Sequence, residues 1–592
     1  MAVYENKASL VLRGRHLESL ENPVETPPLL ATVSGVASTK TPLIRYFDKG
    51  IPAVGIITTK SFQVTPNPGN REPVICEVAP GDFGNSVGLR NPGMEVAIQE
   101  LSALRASRDM RALLNVSVSA SNPDDFITLV RRFEAVADII ELNFSCPHAA
   151  AGFGASIGCD LSIAASYMAE IKNAVPRCKA LIFVKLTPNV EDIGSIAKAV
   201  VEAGADGLVA INTVGPNIHM DPVAKAPILQ NKLGGKGGCS GRWVNGRALE
   251  CIREIRAAVG DAIPLIGMGG VSTGNDVAAM LRAGADAVGI GSAFGKVHQR
   301  FWREYTDALV QEAVADVMAD HGKKSILPAN SSASYIDGTR QMEYRAHTIL
   351  GVLFHTPNIA VFTLSGTLDC QAGQFAFLWI PGVGEKPFSV AENSPLTFVI
   401  KKRGAFTEAM FSLKEGDTLY VRGLYGAKIE QNPTPKALLL AGGTGVAVLP
   451  SLARLLKGQG TVMDIYVGTS TSAPAADGKA LLEDPLSAFG RFTCIADDGR
   501  PGRVLDALGA GLSDVDGLAC YVVGPEKFMA IAAKKMVSAG VPTERIYLSM
   551  ERNTLCGIGM CGECVCGDRL ACQWGTFMRY DYLLAEAPEL VC

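Results

Sequence analysis

The sequence predicts a multidomain chain of mixed α/β and α+β class. Its parts are an N-terminal (β/α)8 TIM barrel, a small antiparallel β-barrel, a second α/β domain and a short cysteine-rich block. Three observations predict this. At 592 residues the chain is too long for one domain. Strand-like and helix-like patterns alternate to about residue 320, give way to short alternating strands, and then return. Four closely spaced cysteines stand near the C-terminus. With 48% hydrophobic and 19% charged residues the chain reads as soluble and well cored. A net charge of −4 with no basic block argues against nucleic acid as a partner. No apolar run reaches membrane-spanning length, and the N-terminus lacks the order of a signal peptide. Fifteen cysteines in so long a chain suggest reduced thiols and a cytoplasmic location.

Residues 1–321 carry the first βα pattern. Strands are predicted over 53–59, 112–119, 138–145, 181–188, 207–214, 263–270 and 287–294, with helices such as DIGSIAKAVVEAGA and NDVAAMLRAGA between them. This alternation reads as parallel βα units, and the length suits a barrel of about 250 residues plus additions. Lys60, Asn115, Asn143, Lys185 and Asn212 fall at the C-terminal ends of these strands. That end is the catalytic face of such a barrel. Residues 322–342 are polar and read as a linker. Short strands parted by Gly and Pro over 343–432 predict the antiparallel barrel. Strand–glycine turn–helix units return over 433–548, and the cysteine block is 549–592.

Cys556, Cys561, Cys564 and Cys572 follow C-x4-C-x2-C and then a fourth Cys. This is the plant-type spacing for a [2Fe–2S] cluster. A structural zinc site usually shows two well-separated C-x2-C pairs, and only one is present. Gly557, Gly559 and Gly562 allow the sharp turns such a loop needs. Cys566 reads as a bystander thiol.

In the barrel, a strand ends in Asn143, Cys146 and His148. A reachable thiolate at Cys146 can serve as a base; taken alone, the residue reads equally well as a small buried hydrophobe. MGG (268–270) and GIGS (289–292) end the last two strands. Barrel phosphate sites are built from those loops, and FMN carries one phosphate. Lys185 offers a fixed cation for a reduced flavin ring.

These motifs resemble the dihydroorotate dehydrogenases. SG (34–35), TTKS (58–61), GNSVGLRNPG (84–93), LNFSCPH, FVKLTPN, INT (211–213), GGCSG (237–241), IGMGG and GIGS recur there in this order. The resemblance implies FMN binding and oxidation of dihydroorotate to orotate, a step of pyrimidine biosynthesis. It makes Cys146 the catalytic base. It gives the pyrimidine to Lys60, Asn85, Asn143, Asn212 and Thr213, and its carboxylate to the amides of Gly88 and Leu89. FMN falls to Ser34, Gly35, Lys60, Ser61, Asn115, Asn143, Lys185, Ile211, Gly241, Gly269, Gly270, Gly291 and Ser292. A homodimer through the barrel is also implied. His148 and the 214–236 segment depart from the common form, and NFSCPH and FVKLTPN also resemble dihydropyrimidine dehydrogenase. The GNSVGLRNPG loop favours dihydroorotate, since the uracil enzymes lack it.

KPFSV (386–390) resembles the flavin motif of ferredoxin-reductase-like proteins, with Lys386 in place of the usual Arg. That resemblance assigns FAD to Lys386, Pro387, Phe388, Ser389, Lys401, Gly404 and Thr407. It assigns NAD to Gly442, Gly443, Thr444 and Gly445 of AGGTG, and to Gly524 and Pro525. The ordered set is similar to the electron-transfer subunit of NAD-linked (class 1B) dihydroorotate dehydrogenases, here fused to the catalytic one. Electrons are then expected to pass from dihydroorotate to FMN, [2Fe–2S], FAD and NAD+. Two alternatives stay open. One is an NAD(P)H-dependent reductase of uracil, thymine or another cyclic amide. The other is an electron-transfer module whose barrel is non-catalytic.

Overall fold

The computed structural model describes residues 29–107, 110–145, 155–320, 327–469, 479–498, 500, 502–509 and 511–591. Cys146 and His148 lie outside the described residues. The chain forms two compact units. The first runs to Met220 and over Pro227–Gln341, and includes Ile558–Glu563 of the cysteine block. The second holds Asp221–Ala226, Met342–Gly557 and the chain from Cys564 onward.

The strands of the first unit are β1 (Leu30–Thr32), β2 (Val54–Thr58), β3 (Ile75–Ala79), β4 (Asp82–Asn85), β5 (Leu113–Val118), β6 (Ile139–Asn143), β7 (Leu181–Lys185), β8 (Gly207–Ala210), β9 (Val214–Ile218), β10 (Lys236–Gly241), β11 (Leu265–Met268) and β12 (Ala287–Ile290). Eight of them close a barrel in the order β1-β12-β11-β8-β7-β6-β5-β2. Every pairing in it is parallel. Strands buried on both faces need near-continuous apolar runs, which is what β7 and β8 show. Ile56, Ile139, Phe183, Val209 and Ile266 fill the interior. The register sets Thr58 beside Asn115, and Asn143 beside Lys185.

The outer helices start where the sequence provides caps. The Asp192 side chain accepts from Ser195 N ahead of Ile193–Glu202. Thr273 and Asp276 form a reciprocal capping box on Gly274–Arg282. Pro123–Phe133 buries Phe126, Leu129, Val130 and Phe133, the one-face spacing of an amphipathic helix.

Three features differ from the sequence reading. The barrel's first strand, β1, is only three residues long and gave too short a run for periodicity to find. A four-stranded antiparallel sheet, β3-β4-β10-β9, is built from residues leading into GNSVGLRNPG and from the two ends of the unusual 214–236 segment, the second continuing to Gly241. Residues 327–341 are packed against the barrel rather than serving as a free linker. Lys296 and Glu77 pair at 2.7 Å with side chains almost fully buried. Gln341 N donates to Glu77 at 2.6 Å, and Lys296 donates to Thr339 O at 2.5 Å. Composition marked this stretch as polar; the buried pair needs those polar partners.

The strands of the second unit are β13 (Arg345–Thr356), β14 (Ile359–Leu364), β15 (Phe375–Ile380), β16 (Gly384–Asn393), β17 (Leu396–Lys401), β18 (Thr418–Tyr425), β19 (Lys436–Gly442), β20 (Val462–Thr469), β21 (Arg491–Ala496), β22 (Leu518–Val523), β23 (Ile546–Ser549), β24 (Val565–Cys566), β25 (Arg569–Leu570) and β26 (Phe577–Arg579). β13 to β18 close an antiparallel barrel in the order β13-β14-β17-β16-β15-β18. The next sheet runs β21-β20-β19-β22-β23-β26. It is parallel except at β26, which lies antiparallel to β23. Because β26 completes this sheet, residues 549–592 are not a separate small domain.

Candidate active site

At the C-terminal ends of the first barrel's strands, polar side chains are buried and bonded to one another. Ser61 Oγ lies 3.2 Å from Ser34 Oγ and 2.9 Å from Ser117 Oγ, and accepts from Asn143 Nδ2 at 3.0 Å. Asn115 donates to Thr58 Oγ1 at 3.2 Å and to Glu141 at 3.3 Å. Lys185 Nζ stands 3.7 Å from Glu141, which is fully buried. Asn212 donates to Ser145 Oγ at 2.8 Å and accepts from Thr213 N at 2.9 Å. Among the described residues Asn115 Oδ1 and Thr213 Oγ1 are buried without a partner. Buried polar atoms are normally satisfied, so such exceptions point to a group that completes them. The sequence reading missed Glu141. Its signal was a lone acid inside an apolar strand.

The Gly88–Leu89 turn follows β4. Both residues have positive φ, 75° and 55°, the latter uncommon for a side-chain-bearing residue. Asn67 donates to Gly88 O at 3.2 Å and Asn91 to Leu89 O at 2.8 Å. Gln63 Oε1 accepts from both asparagines, tying the turn to the Lys60 segment. With the carbonyls held, the Gly88 and Leu89 amides donate no hydrogen bond among the described residues. Asn85 donates to Gly238 O at 3.4 Å, and Asn231 of the unusual segment donates to Ser86 Oγ at 2.7 Å. The segment therefore braces the turn.

Glycine turns end β10 and follow β11 and β12. Gly241, Gly269 and Gly270 have φ of 108°, 130° and 72°. A Cβ on Gly270 would come 2.8 Å from Gly241 O, and one on Gly291 2.8 Å from Val33 Cγ2. Ser292 and Ile211 flank these turns, and Asn245 donates to Gly269 O at 3.1 Å.

Residues Ile558–Glu563 complete the first unit. Ala37 N donates to Met560 O, and Thr39 Oγ1 to Cys561 O, each at 2.8 Å. Lys60 donates to Glu563 at 2.7 Å, with side chains only 9% and 8% exposed, and Lys40 adds a second pair at 3.4 Å. Burial alone would raise the Glu563 carboxyl; the ammonium of Lys60, then that of Lys40, holds it below the usual glutamate value. Sequence reading gave Glu563 no role.

In the second unit, the sheet order reverses between β19 and β22, which leave in opposite directions from the centre. Ligands of open parallel sheets bind at such a switch point, beyond the strand ends. Gly442, Gly443, Thr444 and Gly445 leave β19 there, and Gly524 and Pro525 leave β22. A Cβ on Gly445 would lie 3.0 Å from Val523, and one on Gly524 2.9 Å from Phe528. Lys386, Pro387, Phe388 and Ser389 lie along β16. Lys401 ends β17, and Gly404 N donates to Thr407 Oγ1 at 3.0 Å at the start of the helix Ala405–Met410. Phe388 stacks on Phe406 at 6.2 Å.

Cys556, Cys564 and Cys572 are buried in this unit, and the Cys572 thiol hydrogen-bonds the other two sulfurs. Arg422, fully buried, donates to Cys556 O at 2.9 Å and is clamped by Glu385 at 2.7 and 2.9 Å. Among the described residues no set of three His, Cys, Asp or Glu is placed to hold a single ion. A two-iron cluster asks instead for two thiolate pairs.

A family model for dihydroorotate dehydrogenase matches residues 20–311. Over 269 residues the chain is 39% identical to the catalytic subunit of dihydroorotate dehydrogenase B (NAD(+)) from Methanocaldococcus jannaschii, covering 45% of this chain and 83% of that one. This chain belongs to the dihydroorotate dehydrogenase family. It is an oxidoreductase. The same catalytic subunit from Methanothermobacter thermautotrophicus is 41% identical, over 40% of this chain and 75% of its own. Dihydroorotate dehydrogenase A (fumarate) from Lacticaseibacillus paracasei is 38% identical, over 40% and 79%. The dihydroorotate dehydrogenase family implies FMN. The residues present fit it: crowded glycine turns that leave room only for main chain, a buried lysine, and unpartnered buried oxygens on Asn115 and Thr213. Among the described residues no helix is long and apolar enough to cross a membrane.

Proposed function

We propose that this chain oxidises dihydroorotate to orotate in pyrimidine biosynthesis and delivers the electrons to NAD+ through its own second half. The observation that carries the substrate reading is the Gly88–Leu89 turn, whose carbonyls are held by Asn67 and Asn91 and whose amides donate no hydrogen bond among the described residues. Two undonated amides near a lysine suit a carboxylate, the group that sets orotate apart from uracil. When bound, FMN supplies hydride acceptance, a [2Fe–2S] cluster single-electron relay and FAD two-electron exchange with NAD+, in that order.

The chain's own residues do the rest. Lys60 and the Gly88–Leu89 amides orient the ring by its carboxylate, while Asn85, Asn143, Asn212 and Thr213 meet its amide edge. Oxidation breaks two C–H bonds, so one hydrogen leaves as hydride and the other as a proton; Cys146 takes the proton. Ser34, Gly35, Lys60, Ser61, Asn115, Asn143, Ile211 and the turns at Gly241, Gly269, Gly270, Gly291 and Ser292 would hold FMN, and Lys185 would supply a fixed cation for its reduced ring. The β16 and Gly404–Thr407 residues hold FAD. The β19–β22 switch point, open main chain at the ends of parallel strands, suits NAD. Cys556, Cys561, Cys564 and Cys572 hold the cluster; the buried donor set is all thiol, which suits iron–sulfur.

The test is cofactor analysis of protein purified without oxygen. It should release FMN and FAD in near-equal amounts and contain iron and sulfide. Cys561→Ser should lose the iron and sulfide while keeping both flavins. Zinc without iron, or a single flavin, contradicts the proposal.

A further inference from the structure

Glu563 stands between two of the cysteines, yet its carboxylate is spent on Lys60 and Lys40 at the mouth of the first barrel. Its position is built rather than incidental. Ala37 and Thr39 fix the carbonyls of Met560 and Cys561 just upstream of it. Gly562, at φ +71°, sits so close that a Cβ would meet Thr39 Oγ1 at 2.3 Å and Leu43 at 2.9 Å. Ile558 and Met560 press on Gly295 from the same segment.

We propose that Glu563 is a specificity-determining residue. Its carboxylate occupies the place at Lys60 that a substrate carboxylate takes, so a carboxylated ring must displace it and a neutral ring need not. The inference rests on the reading of Lys60 as a substrate-carboxylate residue. An internal carboxylate competes at a high effective concentration, because the chain already holds it there. It therefore lowers the affinity for orotate without touching that for uracil, and it makes Lys60 available only when the Ile558–Glu563 segment yields.

Binding is the direct test, on full-length protein with its cofactors, by calorimetric titration with orotate and with uracil. Glu563→Gln keeps the shape and removes the charge. It should tighten orotate by roughly tenfold to a hundredfold, the worth of a hydrogen bond to a charged group, and leave uracil within about twofold. Glu563→Asp, one methylene shorter and still charged, should fall between Gln and wild type; iron and flavin content report whether each variant is intact. Lys60→Met separates the two levels of the argument. If it binds orotate as wild type does, the substrate reading and the inference fall together. If it loses orotate while Glu563→Gln and Glu563→Asp bind it no tighter than wild type, or tighten both ligands alike, the inference alone is wrong.

Discussion

At the mouth of the first barrel, Asn115, Ser117, Glu141 and Lys185 are buried and bound to one another through side-chain atoms, with Asn115 Oδ1 left unpartnered. At the β19–β22 switch point of the second unit, Gly442, Gly443, Gly445 and Gly524 offer main chain, and a Cβ would crowd Val523 at Gly445 and Phe528 at Gly524. The first arrangement suits proton and hydride chemistry on a small ring, which needs groups of set charge at set places. The second suits the phosphates and ribose of a dinucleotide, which need close approach and amide donors. The two sites should therefore fail in different ways: the barrel to a swap of polar atoms at constant shape, the switch point to one added methyl.

The largest expected effect is at Cys146. Cys146→Ser keeps the shape but replaces the base with a far poorer one. Flavin reduction by dihydroorotate should slow by about 10²–10⁴-fold in stopped flow. NADH oxidation with an artificial acceptor should hardly change, since it uses only the second half. Slowing of both would mean that the two sites are not separable.

Next comes the Glu141–Lys185 pair. Lys185→Met leaves a buried glutamate without its cation, and should lower stability by about 3–5 kcal/mol in denaturant unfolding. Adding Glu141→Gln should restore much of that stability, because removing both charges is far cheaper than removing one. FMN retention should stay impaired in the double variant. A double variant no more stable than the single would break the pair.

A smaller effect is expected at Gly445. Gly445→Ala places a methyl 3.0 Å from Val523. NADH oxidation should fall about tenfold, the result of some 1.4 kcal/mol of crowding. Flavin reduction by dihydroorotate should be unaffected, and reduced binding of NADH should account for the loss.

Much of this contrast is legible in the sequence, and the reason is periodicity. Seven barrel strands stood out as apolar runs, and Lys60, Asn115, Asn143, Lys185 and Asn212 fell at their ends. β1 escaped because three residues carry no period. The four-stranded sheet escaped because β4 and β10 are glycine-rich, DFGN and KGGCSG, and lack the β-branched signal of a strand. Glu141, Arg422 and Glu563 escaped for a different reason. Each is a single charged residue whose meaning lies in a partner far along the chain: Lys185, Glu385 and Lys60 respectively. Periodicity speaks only of neighbours, so long-range pairs leave no local trace. The residues 327–341 misled by composition, since polar stretches that satisfy a buried pair look like linkers.

In the proposed function one chain takes electrons from a carboxylated dihydropyrimidine at the barrel and returns them to NAD+ at the switch point. Anaerobic mixing of the purified protein with dihydroorotate and NAD+ is the decisive experiment, with dihydrouracil as the parallel sample. Dihydroorotate should give flavin bleaching and one NADH per orotate, and dihydrouracil neither. A flavin spectrum unmoved by dihydroorotate but bleached by the carboxylate-free ring would contradict it.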